Sequence, residues 1–112
     1  MDRNDEVYKA LEKWTKKLEE PQIAKEFEGF NKAMQFYFSD LNNSAMVLNF
    51  RNQSCSLFEG EKLDAEITLT TTSDVIIGIT NGKIDPMEAF IAGQLQPKGQ
   101  IQDLQKLEYL IK

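Results

Sequence analysis

The spacing of apolar residues changes from a helical period to a period of two near residue 33, and this change constrains the fold most. Between Val7 and Leu18 the apolar residues recur at steps of four, three and four, which predicts a helix over residues 5–19. From Ala33 apolar and polar residues alternate, which is typical of strands with one buried face. Such strands need helices to cover their apolar face.

Two alternating segments, Met34–Phe38 and Met46–Phe50, lie on either side of a polar turn at Asp40–Ser44 and predict a β-hairpin. Further alternating runs at residues 54–58 and 65–71 are expected to extend this hairpin as a meander. The polar face of an antiparallel sheet of this kind meets water.

The second half of the chain alternates helix and turn signals. Thr72 or Ser73 can cap a helix that Gly82 ends, and Asp85-Pro86 begins another helix. Pro97 places a short last strand at a sheet edge, and residues 101–111 predict a terminal amphipathic helix. The predicted class is α+β, with a mostly antiparallel sheet covered on one face by helices, in a single domain over residues 1–112.

Composition excludes several kinds of function. The net charge is −5 and no long basic run is present, so no nucleic-acid partner is expected. The chain has no histidine, which removes Ser-His and Cys-His nucleophile pairs and the commonest transition-metal ligand. The polar start and the single Cys55, interpreted as a small buried hydrophobe, favour the cytoplasm.

Two polar clusters have competing interpretations. The acidic side chains near residues 59–66 lack the glycine-bearing spacing of a calcium loop, so we interpret them as a solvated turn. The hydroxyl groups of residues 70–73 have no evident base beside them and are interpreted as a strand end and a helix cap. No cofactor and no metal site are predicted.

The second half of the chain carries a series of spaced motifs: Asn81-Gly82-Lys83-Ile84-Asp85-Pro86, Ala89-Phe90, Gly93-Gln94-Leu95, Gly99-Gln100-Ile101 and Gln105-Lys106-Leu107. Together these motifs resemble the sterol carrier protein type two family. Residues 1–60 are similar to the family only in their order of helices and strands.

The resemblance implies a five-stranded sheet beneath helices, with an apolar tunnel that accepts fatty acids, acyl-CoA, sterols or other apolar small molecules without modifying them. Transient membrane contact and a partner enzyme are compatible with such a carrier. Ordinary core packing is the alternative role for each apolar candidate. The candidate lining residues are Trp14, Phe36, Leu48, Ile76, Ile79, Phe90, Ile91, Leu104, Leu107, Leu110 and Ile111.

Two polar residues of the last helix require separate interpretation. Gln105 matches a family position where a polar group can meet a ligand head, with a solvated side chain as the alternative. Asp103 stands where similar chains carry an apolar residue, which indicates either a tunnel mouth or a rotated helix.

Two other functions are compatible with the sequence. The same fold can act as an interaction or dimerisation module that supports a lipid-metabolising enzyme, with an exposed apolar patch as its sign. An enzyme would need Asp85 and Lys83 to face a pocket, and both are better explained as a helix cap and a surface charge.

Overall fold

The computed structural model describes residues 2–110. Five strands and five α-helices alternate with 3₁₀ turns in the predicted α+β arrangement. The elements are α1 (Arg3–Lys17), α2 (Pro21–Ala24), a 3₁₀ turn (Lys25–Phe27), β1 (Ala33–Phe38), a 3₁₀ turn (Ser39–Leu41), β2 (Ser44–Arg51), β3 (Ser54–Glu59), β4 (Ile67–Thr71), α3 (Ser73–Thr80), α4 (Pro86–Ile91), β5 (Gln96–Lys98), a 3₁₀ turn (Ile101–Gln105) and α5 (Lys106–Leu110).

The strands form one sheet in the order β3-β2-β1-β4-β5. The β1–β2, β2–β3 and β4–β5 pairs are antiparallel, as expected, and Pro97 lies in an edge strand. The expectation that β4 continues the meander was wrong, because β4 crosses to the other side of β1 and pairs with it in parallel. Strand β4 therefore lies beside β1, a strand whose residues are almost all buried.

The crossover between β3 and β4 is fastened by Gln35, a buried side chain on the face of β1 opposite Phe36. Its amide nitrogen donates to the carbonyl oxygens of Met46 and Gly60, and its oxygen accepts from the Lys62 N–H. This face was expected to meet water. The loop covers it here, and its backbone supplies the hydrogen bonds that a buried amide requires.

Residues that pair across neighbouring strands lie on the same face of the sheet, and the pairs on the inner face are apolar. Met34 pairs with Leu48 and Ile67, and Phe36 pairs with Met46 and Leu69. Helix α1 packs against β2, β3 and α3. Asp2 caps α1 by accepting from the Asp5 N–H at 3.0 Å, so the first turn has a side-chain partner for one of its free amides.

The last part of the chain differs from its expected single helix. Residues 101–110, here called the terminal segment, consist of a five-residue 3₁₀ turn followed by a five-residue α-helix. No side chain caps the 3₁₀ turn. Such short elements depend on tertiary contacts for their stability, because helix formation in isolation needs many more residues.

Candidate functional site

The candidate site is the apolar layer between the sheet and the helices. Eight of the predicted lining side chains lie there in one contiguous core, each at most 2% exposed: Trp14, Phe36, Leu48, Ile76, Ile79, Leu104, Leu107 and Leu110. A cavity wide enough for an acyl chain would leave its lining accessible. Among the residues that the structure describes, the layer is therefore closed, and these side chains fill it.

The remaining predicted site residues lie elsewhere. Phe90 is half-buried and packs against the core, whereas Ile91 is 80% exposed on α4. Gln105 is exposed on the terminal segment. Ile111 lies outside the described residues. Phe90 is more buried than Ile91 because consecutive residues of α4 point in different directions around the helix axis.

Trp14 is the largest side chain in the layer, and its indole N–H is a polar group in apolar surroundings. Its ring is 1% exposed and meets the edge of Phe36 with ring centroids 6.2 Å apart. The indole Nε1 is buried without a hydrogen-bond partner. An unpaired buried donor costs about 1–3 kcal/mol.

An aromatic cluster adjoins this layer and is covered by two lysines. Phe27 and Phe50 stack with centroids 5.3 Å apart, and Phe30 meets the edge of both rings. The Nζ atoms of Lys32 and Lys106 lie 5.5 and 5.8 Å from the Phe30 centroid. At these distances the ring faces attract both ammonium groups.

The same two lysines tie the terminal segment to the first half of the chain. Lys32 Nζ lies 2.9 Å from an Asp103 carboxylate oxygen, and Lys106 Nζ donates to the backbone carbonyl of Glu26. Asp103 is only 7% exposed. The Asp103 carboxylate is therefore largely buried and is paired with Lys32.

Lys32 and Lys106 were not among the predicted site residues. Lys32 and Asp103 are 71 positions apart, so no local pattern could pair them. The one available signal was Asp103 itself, an acidic residue on an otherwise apolar helix face, because a buried carboxylate requires a partner.

A separate cleft of about 370 Å³ opens beside the end of β4. Two of the hydroxyl groups that line it are engaged: Thr71 donates to the Gln94 carbonyl at 2.7 Å, and Ser39 donates to the Thr71 carbonyl at 3.3 Å. Nearby, Asp40 accepts from the amide and the hydroxyl of Ser73. These bonds belong to a strand end and a helix start.

The Asp40 carboxyl has a shifted pKa. Burial raises this pKa, but the hydrogen bonds from Ser73 outweigh burial and hold it below its usual value of 3.8. Because the pKa is lowered on folding, the Asp40 contribution to stability is present above the pKa of the unfolded chain and is lost as the pH falls through the folded value.

Asp85 and Lys83 occupy the positions expected of a helix cap and a surface charge. Asp85 accepts from the Glu88 N–H at 3.0 Å and caps α4, while Lys83 is exposed. Burial raises the pKa of the Cys55 thiol to about 12. In the acidic loop Asp64 pairs with Lys62, and Glu66 accepts from the Ala33 N–H.

Within residues 2–110, no three His, Cys, Asp or Glu side chains gather as metal ligands would. The same part of the chain contains no helix whose length and hydropathy would allow it to cross a membrane.

Residues 10–112 match the model of the SCP-2 sterol transfer family. A curated relative, peroxisomal multifunctional enzyme type 2 of Mus musculus, is 29% identical over 67 residues, which is 59% of this chain. The chain spans only 9% of the length of that enzyme.

Two solved structures have the same fold. Sterol carrier protein 2 of Aedes aegypti, in complex with palmitate, superposes with a TM-score of 0.69 at 24% identity over 99% of this chain and 96% of that one. The apo form of sterol carrier protein 2 from Yarrowia lipolytica has a TM-score of 0.68 at 21% identity, covering 90% and 85% of the two chains.

Proposed function

The chain belongs to the SCP-2 sterol transfer family, as its motifs predicted, and from this premise we propose that it binds and carries a lipid without modifying it. The candidate ligands are fatty acids, acyl-CoA, sterols and other apolar molecules. The observation that carries this proposal is the uninterrupted apolar layer, which runs from Trp14 on α1 to Leu110 in the terminal segment. The palmitate complex of the Aedes aegypti relative supports it.

The energetics favour a layer that opens only when lipid enters. An empty cavity of about 300 Å³ would cost roughly 7 kcal/mol, which is comparable to the stability of a whole small domain. Burying the fourteen or so methylenes of a C16 chain yields roughly 11 kcal/mol before association costs are subtracted. We infer that lipid entering the layer takes the place of contacts within it.

The terminal segment is the part of the roof that we expect to move. Its two helical turns contribute three buried leucines, Leu104, Leu107 and Leu110, but few residues of regular helix. Elements of this kind open locally at a lower free energy than the global unfolding of the protein.

We test this function by titrating the protein with palmitate and palmitoyl-CoA while recording Trp14 fluorescence and the melting temperature. Saturable fluorescence change and a rise of several degrees are expected, because ligand at a hundredfold excess over Kd stabilises the folded state by about 2.7 kcal/mol. If neither signal changes and organic solvent extracts no lipid from the purified protein, the carrier function is refuted.

A matched pair of leucine variants locates the site. Leu107→Gln places an amide inside the layer and should reduce the ligand-induced rise in melting temperature by more than half. Leu63→Gln makes the same change at a position that is 92% exposed and should leave the rise unaltered. Equal responses in the two variants would place the lipid outside this layer.

A second candidate function is an interaction module that supports an enzyme. The observation in its favour is Ile91, which is 80% exposed beside the half-buried Phe90 and Met87 on α4. Its test is sedimentation over a range of concentrations: association abolished by Ile91→Asp, in a protein that does not bind lipid, would favour this function over carriage.

We also propose that carriage occurs in the cytoplasm. The single, half-buried Cys55 thiol is compatible with a reducing compartment.

A further inference from the structure

The edge of the apolar layer contains charges that a purely apolar carrier would not need. Lys32 and Lys106 both lie over Phe30, and Asp103 is the carboxylate that faces Lys32. The side chains of Lys32 and Asp103 are only 30% and 10% exposed, so the pair is largely removed from water. Taken together, the three groups carry one net positive charge.

We propose that this edge is a binding site for the carboxylate of a long-chain fatty acid, and that Asp103 occupies that site until the ligand displaces it. This inference rests on the lipid-carrier function proposed above and names the ligand class. The geometry supports a carboxylate, because Lys32 already holds one at 2.9 Å in the closed protein. A charge-assisted bond of this kind is stronger than a neutral one.

The apolar surroundings place the rest of the ligand. Phe27 and Phe30 lie beneath the two ammonium groups, and Phe50 packs against both rings. All three belong to the same contiguous core as Trp14 and Phe36. A fatty acid with its head at Lys32 therefore has its chain aimed into the apolar layer. A neutral lipid of equal length gains the same burial but not the charge.

Displacement of Asp103 also explains how the layer opens. The Lys32–Asp103 pair and the bond from Lys106 to the Glu26 carbonyl are polar ties between the terminal segment and the first half of the chain. When a ligand carboxylate takes Lys32, the first tie is lost and the terminal segment can move away from the layer. When the ligand leaves, Asp103 returns, so head-group binding and opening are coupled.

The test compares two ligands of equal chain length, palmitate and hexadecanol, by fluorescence titration at neutral pH. The quantity measured is the ratio of the hexadecanol Kd to the palmitate Kd. An effect on opening or on fold stability alters both Kd values alike, so the ratio isolates the charge of the head group.

Three proteins should differ in this ratio in a fixed order. We expect a ratio of about ten in the wild-type protein, equivalent to one charge-assisted contact. Asp103→Asn removes the competing carboxylate and should raise the ratio roughly fivefold, whereas Lys32→Met should bring it to about one. Lys83→Met makes the same change at an exposed position on the α3–α4 connection and should leave the ratio at the wild-type value.

Lys32→Met leaves Asp103 without its partner. If this variant does not fold, the ratio is measured in the double variant Lys32→Met/Asp103→Leu. It removes both charges and should also give a ratio near one. A ratio that stays within twofold of wild type in every variant overturns the inference while leaving lipid carriage intact. If wild-type protein binds neither ligand, lipid carriage fails, and this inference fails with it.

Discussion

Helix α1 and the terminal segment bury comparable apolar side chains, yet they are held in place in different ways. Helix α1 is fifteen residues long, is capped by Asp2 and places Trp14 at the centre of the core. The terminal segment buries Leu104, Leu107 and Leu110 just as completely, but it has only five residues of α-helix and depends on ties from Lys32 and Lys106. Burial alone therefore does not identify the part of a roof that opens.

The largest expected effect lies in α1. Trp14→Ala should lower the free energy of unfolding by about 3–5 kcal/mol, because it removes a fully buried aromatic side chain and leaves a cavity. Urea denaturation followed by circular dichroism measures this change. Lys13→Ala, at the exposed neighbouring position, should stay within about 0.5 kcal/mol. A loss below 1 kcal/mol for Trp14→Ala would remove the distinction between the two regions.

In the terminal segment, Leu107→Ala should cost less, about 2–3 kcal/mol, because the short helix can settle into part of the space that is left. Native-state hydrogen exchange sharpens this comparison. The amides of residues 106–110 should exchange through local opening, at a free energy below that of global unfolding, while those in the centre of α1 exchange only on global unfolding. Equal protection in both regions would show that the terminal segment does not open separately.

The Lys32–Asp103 tie should have a smaller effect on stability. Lys32→Met should lower the free energy of unfolding by about 1–2 kcal/mol, because it leaves the Asp103 carboxylate largely buried without a partner. In the double variant Lys32→Met/Asp103→Leu most of this loss should be recovered, since no buried charge remains. Urea denaturation of both variants measures the difference, and equal losses would show that the pair is not coupled.

The smallest expected effect compares the starts of the two regions. Asp2→Ala should cost about 1 kcal/mol, because the Asp5 amide loses its side-chain partner. Gln100→Ala, before the uncapped 3₁₀ turn of the terminal segment, should change stability by less than about 0.5 kcal/mol. Thermal unfolding of the two variants checks this order, and a reversed order would contradict the role assigned to the cap.

Much of the fold was predictable because its signals are local. The α1 stripe, the β1–β2 hairpin, a helix cap at Thr72 or Ser73, the Asp85 cap and the edge position of Pro97 were all inferred from the residues themselves. Each depends on side chains within a few positions of one another, where helical or strand geometry sets the spacing. The parallel β1–β4 pair was not predicted, since nothing in β4 specifies which neighbour it joins.

The candidate site was predictable to the extent that it is apolar. Periodicity identified eight side chains that the fold gathers in one core, but it could not separate Phe90, half-buried on α4, from its exposed neighbour Ile91. A six-residue helix has too few turns for its orientation to be inferred from its own pattern.

The sequence by itself determined the family, the α+β class and the apolar character of the layer, because motifs, caps and hydrophobic periods act over short stretches of chain. Only the tertiary structure brought Lys32 to Asp103 and Lys106 to Glu26, and only it closed the layer with a terminal segment of two short helical turns. The physical reason is distance along the chain: a partner some seventy or eighty residues away is selected by packing and by the cost of leaving a buried charge unpaired, and neither is encoded in local spacing.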